Sequence, residues 1–352
     1  MPSPIYDVMT VPAPDVPAAT AAAVALAEWG LAGTLKPLTG ERDRNFHLTT
    51  PTGGYVLKFA NPAEPAEFRA MQTAVLRHIE AADPALTVPR VIPTRSGTAE
   101  ALAQMPDGTA HPVRLLSYVE GVPIYFARRS AAQRAAYGTT LARLQTAMRG
   151  FAHPGAATPI IWDLQHALHL HEAAHAVPDP AARAALEHDL AEFAARVTPA
   201  MPRLRRQVLH DDLNRANVMV DAADHDRIAG VIDFGDTTET AVIMDITIAA
   251  NSQQGEDMDI VEAAAHLLRA YTAIHPIPAE EALLLPLLMR TRLMMSVTLG
   301  CWHRLQQPDN PHHAHNAAMI ERSLALRARL LEPAGAAALL AACGHDPKDI
   351  LP

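Results

Sequence analysis

The 352-residue chain is 49% hydrophobic and 19% charged, enough to bury a sizeable core and too long for one domain of ordinary size. Its formal charge of −9 argues against nucleic acid as the main partner, because phosphate binding needs a basic surface, and fits a cationic small substrate somewhat better. Two cysteines make no disulfide framework, no basic segment precedes the first apolar stretch, and the longest apolar run, 282–289, contains Pro286 and falls far short of the ~20 residues that span a bilayer; the expectation is a cytoplasmic protein with no membrane or nucleic-acid partner.

Residues 1–15 carry four prolines and read as an arm. Residues 17–31 predict a helix stopped at Gly30 or Gly33. The hydrophobic period then falls to two. His47-Leu48-Thr49-Thr50, a turn over Pro51 to Gly54, and Tyr55-Val56-Leu57-Lys58-Phe59 predict a β-hairpin. After Asn61-Pro62, the spacing of Phe68, Met71, Val75, Leu76 and Ile79 predicts an amphipathic helix over 64–79. Two more strands are expected over 88–92 and 113–119. Beyond Glu120-Gly121-Val122-Pro123 the texture turns helical, with alanine-rich helices expected over 130–149, 162–176 and 181–197, and again from 254 onward. Residues 208–236, rich in Val, Ile and Asp, interrupt that block.

The interruption carries the chemistry. Residues 217–220 and 228–232 read as strands joined by a polar turn. If the hairpin turns about residue 225, Asn217 sits opposite Asp233 with Cβ atoms ~5 Å apart. Asp212 lies five residues upstream on the entering loop. An amide oxygen and two carboxylates make a hard oxygen site of the kind that holds Mg²⁺ (or Mn²⁺) with phosphates. Taken singly, Asp212 and Asn217 also read as turn formers and Asp233 as a helix cap; bracketed together by apolar strands they read as a site.

His210-x-Asp212 followed by Asn217, then Asp233-Phe234-Gly235, resembles the catalytic and metal-binding loops of protein-kinase-like phosphotransferases. The form is similar to that of the aminoglycoside phosphotransferase family, which also contains choline and homoserine kinases. Gly40-Glu41-Arg42-Asp43-Arg44-Asn45-Phe46, Tyr55-Val56-Leu57-Lys58 and Ile232-Asp233-Phe234-Gly235-Asp236 are most similar to its hydroxylysine kinase-like branch. The resemblance implies an α+β, protein-kinase-like two-lobe fold. A small β-rich N-lobe would occupy 1–116, a hinge 117–121, and a large helical C-lobe 122–352. It also implies metal-dependent transfer of the γ-phosphoryl group of ATP or GTP to a hydroxyl of a small amino metabolite. By branch the acceptor is 5-hydroxylysine or a similar hydroxy amino acid, with homoserine, choline-like alcohols and aminoglycosides also open; the oligomeric state stays open.

Carried over residue by residue, the resemblance makes Asp212 the base that takes the acceptor proton. It makes Asn217 and Asp233 the metal ligands, and His210 a loop-ordering residue. Lys58 would contact the α/β-phosphates, Gly40, Arg42 and Asn45 would lie in the loop over them, and Ser117, Tyr118 and Val119 would hold the purine. Asp211 and Asp236 are available for an acceptor ammonium, and Arg292 or Arg304 for a carboxylate. Lys58 has support of its own: it is one of three lysines, mid-strand among apolar neighbours, where a charge is costly without a partner.

The chain departs from the family pattern twice. Asp211 stands where the family often has Gly; Asp shares some of glycine's tolerance for positive φ. The usual glutamate partner of the lysine is replaced by Gln72, counted back from Leu76 and Ile79, with Glu67 and Glu64 one and two turns earlier. A Lys58–Gln72 hydrogen bond would then stand in for an ion pair. Two readings of other classes compete. One is a catalytically inactive binding protein, which would be expected to have lost one of these residues. The other is a zinc hydrolase on His171-Glu172-Ala173-Ala174-His175, an HExxH match in a chain whose eighteen histidines make chance matches common. His312, His313 and His315 beside Pro311 read as an exposed loop.

Overall fold

The computed structural model describes residues 10–40, 42–105, 108–306 and 317–350; residues 1–9, Glu41 and the 311–315 histidine stretch lie outside them. The chain divides into two compact units, one running to Glu120 and including His153–Gly155, the other Gly121–Ala152 with Ala156 onward. Among the described residues no helix is long and apolar enough to cross a membrane.

The first unit opens with helix α1 (Ala18–Val24), which widens into one π-type stretch (Ala25–Trp29) and closes at Gly30 with φ +73°. An antiparallel sheet follows, ordered β1 (Thr34–Leu38), β2 (Arg44–Thr50), β3 (Gly53–Phe59), β6 (Ala110–Ser117), β4 (Val91–Ile92), with β5 (Ala101–Gln104) also on β6. Helix α2 (Ala66–Ala82) is inserted after β3. Phe46, Leu48, Leu57, Phe59, Val113 and Leu115 alternate along their strands onto one face and pack with Ala21, Ala25 and Trp29 of α1. Period-two alternation therefore turns Lys58 and Arg114 to the other face.

Sequence pattern missed β1 and β5 and overextended β4. β1 is an edge strand with no buried residue, and it contains Pro37, so no buried alternation marks it. β5 is Ala-Leu-Ala-Gln, weak in β-formers. In β4, Pro89 lacks the N–H a ladder needs, and pairing starts only at Val91.

In the second unit, β7 (Val122–Pro123), β9 (Val218–Val220) and β10 (Ile228–Val231) form one small sheet and β8 (Arg206–Leu209) with β11 (Thr238–Ala241) another. Helix α3 (Ala131–Ala147) is capped by the Ser130 hydroxyl, which accepts from Gln133 N–H. It packs on α7 (Ile260–Thr272) through Gly138, where a Cβ would lie 2.2 Å from the Leu267 carbonyl oxygen. The expected helix over 162–176 is instead two 3₁₀ segments flanking a four-residue α-turn, α4 (Leu170–Ala173). The cause is legible afterwards: the buried residues Leu164, Ala167, Leu170, Ala173 and Ala176 recur every third position, the period of a 3₁₀ winding. Helix α5 (Pro180–Glu192) follows. All ten residues of α6 (Val242–Asn251) are buried, so no amphipathic stripe announces it. After the short α8 (Ala279–Ala282), α9 (Leu285–Gln306) takes Pro286 in its first turn, where proline is tolerated.

Candidate active site

In the first unit, the β2–β3 register puts Asn45 opposite Lys58, and the β3–β6 register puts Arg114 opposite Lys58 on the other side. Lys58 Nζ makes an ion pair of 2.8 Å with Asp43 Oδ2, both largely buried at 14% and 9% exposure. Asp43 Oδ1 accepts the Asn61 N–H at 2.8 Å, and Asn61 Nδ2 donates to the Arg42 carbonyl. Gly40 makes this turn possible, since a Cβ there would lie 2.6 Å from the Asp43 carbonyl oxygen and 2.9 Å from Asn45 Nδ2. Burial by itself would raise the Asp43 carboxyl, but the Lys58 ammonium and the Arg42 charge hold it below its ordinary range.

Lys58 therefore has an ion pair, and its carboxylate comes from the loop before β2. The expected Lys58–Gln72 bond is replaced: Gln72 Nε2 donates to Glu64 Oε1 at 2.8 Å, and its Oε1 accepts from Arg114 Nη2 at 2.6 Å. A guanidinium 2% exposed directly across from Lys58 needs an acceptor, and a neutral amide bridging it to Glu64 supplies one. Asp43, Asn61 and Glu64 went unassigned in the sequence because the loop before β2 brings Asp43 to Lys58, Asn61 donates to Asp43, and Glu64 accepts from Gln72. At the end of β6, the N–H groups of Ser117 and Tyr118 donate to the carbonyls of Arg90 and Gly54.

In the second unit, β8 delivers His210 into the loop. His210 is fully buried; its Nδ1 accepts the Asp212 N–H at 3.2 Å and its Nε2 lies 3.0 Å from the Ile232 carbonyl. Those partners fix a neutral ring with the proton on Nε2, and burial keeps the imidazole below its ordinary pKa. The ring stands edge-on to Phe234 with centroids 4.6 Å apart. One imidazole thus ties the Asp212 loop to the loop that carries Asp233.

The Asp212 carboxylate is held from two sides: Asn214 Nδ2 donates to both oxygens at 2.9 and 3.0 Å, and Asn217 Nδ2 donates to Oδ2 at 2.7 Å and to the Asp212 carbonyl at 2.9 Å. The Asn217 amide nitrogen is thereby committed, and its oxygen is the end left for a hard cation. The hairpin register corrects the expected pairing. The hairpin turns about residue 224, with Ile228 opposite Val220, and a bulge then sets Gly230 against Met219 and advances the register by one, so Ile232 rather than Asp233 lies opposite Asn217 and donates its N–H to the Asn217 carbonyl at 2.9 Å. Asp233 follows at φ +62° with its side chain exposed, and Oδ1 accepts the Gly235 N–H at 3.2 Å. Burial first, then the charges of Asp236 and Asp233, push the Asp212 carboxyl well above its ordinary range, opposed by Arg292.

Asp211 adopts φ +57°, the conformation for which Gly is the usual residue. Its side chain is fully buried with both oxygens unpartnered, while its N–H donates to Asp245 Oδ1 at 3.0 Å. An ammonium-receiving role for Asp211 is corrected on that ground: the carboxyl is sealed off. Burial pushes it well above its ordinary pKa, and burial likewise raises Asp163 and Asp245 to about 6. A raised carboxylic pKa means the native state holds protons the unfolded chain has already released. Stability therefore falls as pH rises from about 4 through 6 and beyond. Asp211→Gly is expected to raise stability at pH ~8 by about 1–3 kcal/mol, with a smaller gain at pH ~4; thermal melts at the two pH values check this, and a variant no more stable than the parent at pH ~8 contradicts it.

Arg292 Nη2 lies 3.8 Å from Asp212 Oδ1, and its guanidinium stacks 5.0 Å over Trp162. Arg304 is exposed and twelve residues further along the same helix, a rise of about 18 Å, so the structure separates the two arginines and keeps Arg292 at Asp212. Asp236 is buried at 6% exposure. The HExxH residues are not presented as a zinc site requires: the α-turn ends at Ala173, His175 falls in the following 3₁₀ segment, and Glu172 Oε1 meets His169 Nδ1 at 2.9 Å. Among the described residues the group with metal-ligand spacing is His188, Asp189 and Glu192. Its carboxylates are already taken by Arg290 and Arg327.

Residues 34–284 match the model of the phosphotransferase enzyme family. The chain is 25% identical over 303 residues to the hydroxylysine kinase of Mus musculus, covering 79% of this chain and 80% of that protein. It is 28% identical over 257 residues to the homoserine kinase of Sinorhizobium fredii, covering 71% and 73%. In fold it is similar to the microcompartment-associated aminopropanol kinase, with a TM-score of 0.68 at 18% identity over 93% of this chain and 98% of that one.

Proposed function

The chain belongs to the phosphotransferase enzyme family, with its α+β protein-kinase-like fold and a small-molecule hydroxyl as acceptor, and we propose that it transfers the γ-phosphoryl group of ATP or GTP to the hydroxyl of a hydroxy amino acid. 5-Hydroxylysine is the first candidate and homoserine the second. The observation that carries the reading is the Asp212 carboxylate, held by Asn214 and Asn217 so that one oxygen set faces its amide clamps and the Asn217 oxygen is left for a cation.

In this reading Asp212 orients the acceptor hydroxyl and takes its proton. Asn217 and Asp233 hold Mg²⁺ (or Mn²⁺), which when bound neutralises charge on the nucleotide phosphates. Hard oxygen donors from an amide and an exposed carboxylate suit that ion. His210 positions both loops. Lys58, steered by Asp43, holds the α/β-phosphates, with Gly40 and Arg42 in the loop above them and Asn45 opposite Lys58 on β2. Because the Ser117 and Tyr118 N–H groups serve the sheet, their share in holding a purine falls to their carbonyls and to Val119. Residues 1–116 act as the nucleotide lobe and 122–352 as the catalytic lobe, joined at 117–121.

Nucleoside-diphosphate release tests this, with ATP and GTP offered separately against hydroxylysine, homoserine, choline and an aminoglycoside. Stimulation by an amino-acid acceptor is expected. Stimulation by choline or the aminoglycoside alone contradicts the acceptor class.

A further inference from the structure

Beside Asp212, the C-terminal end of α6 and the middle of α9 enclose a cavity of about 250 Å³, lined among others by Asn214, Arg215, Asn251, Ser252, Arg292 and Ser296. Asn214 is the residue that clamps Asp212, and Arg292 is its guanidinium neighbour, so the cavity wall adjoins the base. Arg292 and Asn251 are each more than nine-tenths buried. Each nonetheless has one polar atom with no hydrogen-bond partner: Nη1 of Arg292 and Oδ1 of Asn251. The Asn251 amide cannot be turned to cure this, because its Nδ2 already donates to the Met289 carbonyl at 2.9 Å. Met289 lies three residues before Arg292 on α9, so the Asn251 side chain, carried by α6, is tied to α9 about one turn from Arg292.

A buried donor and a buried acceptor left unmade are expensive, and such orphans in a native protein mark a ligand's place. Two guanidiniums line the cavity and none of its lining residues is a carboxylate. That lining attracts an anion and repels a polycation.

We propose that this cavity binds the α-amino-acid head of the acceptor, with Arg292 Nη1 donating to the carboxylate and Asn251 Oδ1 accepting from the ammonium. The acceptor is then a zwitterion whose hydroxyl extends to Asp212, and simple amino alcohols and aminoglycosides are disfavoured. The inference rests on the reading of Asp212 as the base, and it narrows the acceptor class.

Calorimetric titration of homoserine against aminopropanol, the same chain without the carboxylate, tests it without any phosphoryl transfer. The protein is expected to bind homoserine about 100-fold tighter, the scale of a charge-assisted hydrogen-bonded pair. Arg292→Met should bring the two within about threefold. Arg292→Lys, which keeps the charge and loses the planar fork, should fall between, and it carries the test if the methionine variant does not fold. Equal affinity for the two compounds, no binding of either, or a preference that survives Arg292→Met would overturn the proposal. If the preference is found but no nucleoside diphosphate is released with any acceptor, the subsite stands and the phosphoryl-transfer reading falls.

Discussion

Replacing Asp212 by Ala is expected to lower kcat about 10³-fold while leaving nucleotide affinity within about threefold, the scale of a lost general base. The carboxylate is half-buried and its two oxygens are fixed by Asn214 and Asn217, so its direction is preset before substrate arrives. Asp212→Asn refines the test. An amide oxygen still accepts from Asn217 Nδ2 and keeps that side chain oriented, but it takes no proton, so its kcat should fall as far as that of the alanine variant. Steady-state rates and nucleotide titrations separate the two effects. An unaffected kcat in either variant would remove Asp212 from the chemistry.

Lys58→Met has the second largest expected effect, and it divides into stability and binding. Asp43, 9% exposed, loses the ammonium that keeps it ionised. Breaking a buried pair from one side costs about 3–5 kcal/mol because a charge is stranded. In the parent, a carboxyl with a depressed pKa contributes stability above pH ~4 that is lost on acidification. In Lys58→Met only the Arg42 charge and the Asn61 N–H still oppose burial, the folded pKa of Asp43 rises, and the variant becomes less stable as pH increases towards neutrality. Adding Asp43→Asn should restore most of the stability and none of the nucleotide affinity. Recovery of both in the double variant would show that Lys58 serves the fold alone.

What the sequence disclosed depended on how local each signal was. The Asp212–Asn217 loop and the Asp233 turn lie within one short hairpin, so spacing alone brought their residues together. The same spacing placed Asn217 opposite the wrong partner, because the turn centres about residue 224 rather than 225 and the bulge between Ile228 and Gly230 recovers only one residue of register. The partner of Lys58 was beyond reach for a different reason. Asp43 meets it from the loop before β2 and is itself fixed by Asn61 in the turn after β3, contacts that no helical count back from Leu76 reveals. Residues 162–176 hid their winding in plain view, with burial at every third position mistaken for an α-helix. Asn251, in a helix buried all round, carried no signal of its own; only its unmade bond, visible in three dimensions, singled it out.

The destination of the γ-phosphate tests the central claim most directly. Mg²⁺ nucleotide labelled in that group is incubated with hydroxylysine or homoserine, and the label is followed into product. The account predicts a stable phosphate ester on the acceptor hydroxyl, formed by the parent protein and not by Asp212→Ala. Label found only in inorganic phosphate, or an ester formed equally well by the Asp212 variant, would contradict it.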